Sequence, residues 1–235
     1  MRSVGVAGAL LLLALAACGS AKSDPSPTVT PTGRNQPTVT ALPSGTGSPG
    51  AGVLPVVHVD ASGASVSNEG MVGVAVITNP AADAAAHSIT VTFTVTSKNG
   101  QAPVTGTAPL GALEPGESAA VTAVLPVPGN DEVAGVTATA AAASAAAKGS
   151  PEQVRAGGAR FSTDAHSAAV DATLTNAAAV VPVVAVAVCY DSSGTIIGGG
   201  ELAVSAVAAG STPVHIVVSV ADTPASVKVF VHPPV

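Results

Sequence analysis

From Ile89 to Thr96 apolar and polar residues alternate: Ile89, Val91, Phe93 and Val95 are separated by Thr90, Thr92, Thr94 and Thr96. Side chains of a strand point to opposite faces in turn, so this period of two predicts a half-buried β-strand, apolar side inward and threonines to solvent. Asn99-Gly100 follows, a pair that favours a tight type I′ hairpin turn. The same reading places further strands at about 55–60, 71–78, 103–110, 118–126 and 133–140, with Glu114-Pro115-Gly116-Glu117 as an intervening turn. About seven short antiparallel strands in roughly 85 residues, without an amphipathic helix, predict an all-β chain built as a β-sandwich.

The pattern then repeats. Val74-Ala-Val-Ile-Thr-Asn79 has a counterpart in Val170-Asp-Ala-Thr-Leu-Thr-Asn176, each followed by a loop, an apolar run and two Gly turns. Gly194 lies 94 positions after Gly100, and Gly210 lies 94 after Gly116, whereas Asn176 lies 97 after Asn79. Two homologous modules with a loop three residues shorter in the second fit these offsets better than one large domain. In the second copy the face that carries threonines in the first becomes Val184, Val186, Val188 and Tyr190. A strand apolar on both sides is usually covered, here by the first module or by a partner protein, the remaining reading being a simple Ala/Val drift that leaves the stripe exposed; these four residues are the candidate interaction surface.

Ahead of the modules, an apolar run from Val4 to Ala17 follows Arg2 and ends in Leu15-Ala16-Ala17-Cys18. It is shorter than the roughly 20 residues a helix needs to cross a bilayer, and it reads as a signal-peptide core. The four closing residues resemble the lipobox of a bacterial lipoprotein. That resemblance implies cleavage after residue 17, lipidation of the Cys18 thiol by a diacylglycerol, and an acylated protein held on the extracytoplasmic face of the cell membrane. Residues 18–54 carry Pro25, Pro27, Pro31, Pro37, Pro43 and Pro49 among Ser, Thr and Gly. So few large apolar side chains cannot offset chain entropy, so a disordered tether is expected, with a reach on the order of 100 Å if fully extended.

Composition narrows the function classes. Of 235 residues 47% are hydrophobic but only 2% aromatic and 9% charged, with a net charge of -6. Lys98, Lys148, Arg155, Arg160 and Lys228 are scattered in sequence and form no basic run for nucleic acid. With Cys18 lipidated, Cys189 has no disulfide partner; its place in the alternation, matching Val95, predicts an inward-facing apolar role. Ser162, Asp164 and His166 are spaced two apart on one strand face, which raises a hydrolytic triad. A triad needs the base between nucleophile and acid, and Asp164 is the central member, so a solvated polar face is the preferred reading. His58, His87, His215 and His232 have no metal-ligand spacing and read as surface residues. Asp191 and Asp131-Glu132 fall at turns, where carboxylates cap backbone amides, and lack the D-x-D-x-D-G array of a calcium loop. Gly198-Gly199-Gly200 reads as a strand-end bulge or turn.

Ala187-Val188-Cys189-Tyr190-Asp191 before Ser192-Ser193-Gly194 resembles the motif of the FxLyD domain, a family of envelope modules with an immunoglobulin-like fold. The first copy aligns Phe93-Thr94-Val95-Thr96-Ser97, keeping the Phe where the second keeps the Tyr and Asp, and neither copy has the full motif. The resemblance implies two tandem immunoglobulin-like antiparallel β-sandwich domains and brings no catalytic residues. The resulting expectation is a signal peptide at 1–17, a lipidated tether at 18–54, sandwiches at 55–143 and 152–235, and a linker at 144–151. Such a lipoprotein acts as a non-catalytic interaction or spacer module, with no cofactor, metal, nucleic acid or small-molecule substrate in view. Its partners are the membrane, through Cys18, and an envelope protein or the cell wall. An envelope hydrolase or a solute-binding lipoprotein is the alternative.

Overall fold

Twelve strands and no helix make up the described part of the chain. The computed structural model describes residues 54–67, 70–126, 133–149, 154–163, 167–177 and 180–235; Cys18, the signal segment and nearly all of the tether lie outside them, as do Asp131-Glu132, Asp164 and His166. The first six strands are β1 (His58–Ser67), β2 (Gly70–Thr78), β3 (Ala84–Ser97), β4 (Val104–Leu113), β5 (Ser118–Leu125) and β6 (Val133–Ala147). They form two antiparallel three-stranded sheets, ordered β1-β2-β5 and β4-β3-β6. Phe93, Met71, Ile77, Ile89, Leu110 and Leu125 fill the core between them, all essentially inaccessible. Thr90 and Thr96 are exposed on the opposite side, as the alternation requires.

The last six strands are β7 (Val154–Thr163), β8 (Ala168–Asn176), β9 (Val181–Tyr190), β10 (Ile196–Val207), β11 (Gly210–Val220) and β12 (Ser226–His232). Their order β12-β9-β10-β11-β8-β7 reproduces both sheets of the first half, β7-β8-β11 matching β1-β2-β5 and β10-β9-β12 matching β4-β3-β6. The one difference is a short β10–β11 ladder at Gly198 and Gly199 that joins the two sheets into one of six strands. Cys189, Leu174, Ile216 and Val170 lie in the second core.

The repeat is visible in main-chain detail. Gly100 and Gly194 share positive φ (73° and 84°), as do Gly116 and Gly210 (75° and 102°), a region open to glycine because it lacks a Cβ. Asn79 and Asn176 are both buried. Asn79 Nδ2 donates to the carbonyl ending β4, at Leu113, over 2.9 Å, and Asn176 Nδ2 donates to the carbonyl ending β10, at Val207, over 2.8 Å.

Three expectations change. β3 and β4 are joined by residues 98–103, a longer loop than a two-residue hairpin, in which Ser97 Oγ accepts from Gln101 N. β6 runs on to Ala147, pairing Ala145, Ala146 and Ala147 with Ala86, Ala85 and Ala84, so strand occupies the first part of the linker placed at 144–151. Six strands, rather than about seven, are described in each half.

Candidate functional site

The apolar stripe of β9 has an occupant in the same chain. Val186 and Val188 are 0% exposed and pack with Ile196 of β10 against Val74 and Val76 of β2 and Ala120 of β5. Val184, Tyr190 and Phe230 flank this contact, half-buried. The outer face of β1-β2-β5 therefore lies on the outer face of β10-β9-β12, giving four stacked layers. As a surface for a separate partner, the stripe of Val184, Val186, Val188 and Tyr190 is corrected: its two central valines are inaccessible because sheet covers sheet. Glycine permits the approach. A Cβ on Gly63 would stand 2.2 Å from Ile196 O, and one on Gly199 2.3 Å from Ala187 O and 3.1 Å from Val74 Cγ2.

The complementary half of the contact is also written in the sequence. In β2, Met71, Ala75 and Ile77 face the first core while Val72, Val74 and Val76 face away, so this strand too is apolar on both sides. At the repeat position of Val74 the second half carries Asp171, at that of Val76 Thr173, and this sheet face is left to solvent.

On that open face, residues far apart in sequence meet. Antiparallel register sets Asp171 of β8 between Arg160 of β7 and His215 of β11. Ser162 Oγ donates to Asp171 Oδ2 at 2.8 Å, and His215 Nδ1 lies 2.7 Å from Asp171 Oδ1. The His215 contact first, then the Ser162 hydroxyl, hold the Asp171 carboxyl below its ordinary value. All three types of a hydrolytic triad are present in the wrong wiring: serine and histidine both bind the acid, so the imidazole is not placed to take the serine proton. The side chains of His215 and Asp171 are 58% and 54% exposed, so the cluster is a solvated surface network. Sequence spacing points to Ser162; its bond to Asp171, and the contact of Asp171 with His215, follow only from strand pairing.

The remaining candidates are structural. Cys189 is fully buried, and burial pushes its thiol up to about 11, the reverse of an activated nucleophile. Asp191 Oδ1 accepts from Ser193 N and Ser193 Oγ and from Thr195 N, closing the β9–β10 turn, and these bonds lower its pKa. Gly198, at φ 149°, sits at the register shift of β10, a bulge where the strand, still paired with β9, also pairs with β11. His232 departs from the surface reading: only 6% exposed, it ends β12 beside a cleft of about 120 Å³ lined by Leu113, Glu114, Glu117 and Ala119 of the first half. Burial lowers its pKa, against the opposing effects of the Pro233 carbonyl and Glu201. Among the described residues no three His, Cys, Asp or Glu side chains are grouped to hold a metal ion. Comparison of the chain with protein-family models, with curated proteins and with solved structures finds no match.

Proposed function

We propose that this chain is a membrane-anchored envelope lipoprotein in which two immunoglobulin-like β-sandwich modules act by position and contact, without catalysis. Cys18 carries the lipid in this reading, and residues 19–54 are the tether that sets the modules off the membrane. The observation that supports it best is the mutual burial of the β2 and β9 stripes. The two faces that the sequence makes apolar cover one another, and the outward faces left over, the threonines of β3 and the Asp171, Thr173 and Thr175 face of β8, are polar. Docked modules of this kind suit a stiff spacer or a presenting surface. The hydrolase alternative gains nothing from Ser162, Asp171 and His215, whose wiring offers the serine no base among the described residues.

Anchoring is tested by expressing the full chain in a bacterial host fed an alkyne palmitate analogue, with Cys18→Ala beside the wild type. The wild type is expected to take up label and enter the detergent phase on Triton X-114 partition, and Cys18→Ala to remain aqueous and unlabelled. Equal labelling and partition of the two proteins would overturn the lipid anchor.

A further inference from the structure

We propose that the contact between the two halves is a pH-operated clasp, which opens when His232 at its edge takes up a proton and leaves each half folded. This deepens the reading of the chain as two docked modules and rests on it. The docking surface is separate from either core, since Val74, Val76, Ala120, Val186, Val188 and Ile196 form a buried cluster of their own. Among the described residues it holds six buried side chains, against sixteen and thirteen in the two cores. Local opening starts where the fewest apolar contacts hold a protein together, so a small penalty at this contact parts the halves before it unfolds them.

His232 is placed to apply that penalty. It pairs with Val184 of β9 as Phe230 pairs with Val186, and residues paired across strands point to the same face of a sheet. Val184 and Phe230 flank the docking cluster, whereas Val231 lies in the second core. The imidazole therefore faces the first half, 6% exposed, across a cleft of about 120 Å³ from Leu113, Glu114, Glu117 and Ala119. Beyond it the chain stays against the first half, with Pro234 O 3.8 Å from where a Cβ on Gly111 would stand. His232 Nδ1 donates to Pro233 O over 2.7 Å, which leaves Nε2 to take the proton.

The charged groups around the ring are engaged elsewhere. From the β4–β5 turn, Glu114 accepts from Gly149 N at 2.7 Å and Glu117 from Glu114 N at 3.3 Å. From β10, Glu201 accepts from Thr122 Oγ1, a bond that itself bridges the two halves. β5 presents Ser118 and Ala119 and β9 presents Val184, all uncharged. Lys228 shares the face of β12 but stands over the Tyr190 ring. Arg155 of β7 alternates with Val154 and Ala156, which face the second core, and so points away; Lys148, beside Gly149, is exposed. Burial outweighs the help of the Pro233 carbonyl and Glu201, so the docked ring holds a proton less readily than a free one. The sign follows: protons favour the open form, raising the opening constant by up to about tenfold per pH unit below the ordinary histidine value of about 6.5 until the lowered value is passed.

The test is energy transfer between dyes on Thr139→Cys and Thr175→Cys, exposed positions on the two outermost faces of the stack, roughly 30 Å apart at about 10 Å per packed layer. The full chain carries Cys18→Ala as well, so that with Cys189 buried only the introduced thiols take dye and the result is independent of the lipid. Between about pH 7 and pH 5 transfer is expected to fall reversibly while the circular dichroism stays constant. His232→Gln and His232→Leu, uncharged at every pH, are expected to lose that step; two variants are used so that poor folding of one does not decide the matter. Transfer that stays constant with pH in the parent, a step that survives in a folded His232 variant, or loss of circular dichroism together with transfer would each overturn the proposal. High transfer at pH 7 with no fall in acid leaves the docked modules standing and removes only the clasp; low transfer at pH 7 removes the docking and the clasp with it.

Discussion

Val186→Asp separates a stripe covered by the protein's own chain from one left open. Val186 is fully buried among Val74, Val76, Ala120, Val188 and Ile196, all apolar. Removing the valine forfeits roughly 1.5–3 kcal/mol of burial, and the carboxylate put in its place meets no donor in that cluster, adding several kcal/mol. A total of about 5 kcal/mol is comparable to the 5–15 kcal/mol that holds a typical domain folded. The sheets must separate, or the second half must unfold with them. Thr92→Asp is the matched control, because Thr92 holds the repeat position of Val186 on the central strand of the first half but faces outward, half-exposed. Its cost is about 1 kcal/mol or less, from β-propensity alone. Urea unfolding followed by circular dichroism, with X-ray scattering for the radius of gyration, reads both outcomes. Val186→Asp is expected to lower the unfolding midpoint sharply and to expand the particle at low urea, while Thr92→Asp does neither. If the two variants unfold alike and scatter alike, the docking of β2 on β9 is wrong and the stripe faces solvent.

Three further outcomes follow from the same packing. Asn79→Ala leaves the Leu113 and Ala84 carbonyls and the Ala81 amide without their side-chain partner, so a loss of about 2–3 kcal/mol is expected in urea titration; a loss under about 0.5 kcal/mol would contradict the role given to the buried amide. Cys189, with its thiol raised to about 11 and no exposure, should resist iodoacetamide in the native protein at about pH 8 and react fully in denaturant; fast native labelling would refute its place in the core. His232 has a folded pKa below its unfolded value, so the unfolded chain binds the proton more readily. Its contribution is complete above about pH 6.5 and is lost as pH falls through the folded pKa. Replacing it by His232→Gln should flatten the stability profile between about pH 7 and pH 5, and an unchanged slope there would count against burial of the imidazole.

Much of this fold is a local matter. The alternation from Ile89 to Thr96 fixes a strand and its inner face because neighbouring side chains of an extended chain must point opposite ways. The matched glycines and asparagines announce two copies, since positive φ and a buried amide are needs of the backbone itself. Val184, Val186 and Val188 likewise declare that their strand is covered on both sides. What covers them is not written in any window of sequence. The partner strand β2 lies more than a hundred residues earlier, and only the stacking of two sheets brings Val74 onto Val188 and lets Gly199 admit it. The Ser162, Asp171 and His215 network is of the same kind, because antiparallel register across three strands, not spacing along one, puts His215 against a carboxylate 44 residues away. Alternation along the chain settles which faces seek burial and which seek water; the stacking of the sheets settles which apolar face meets which, because burial is non-directional and takes its specificity from the shape of the surfaces that meet.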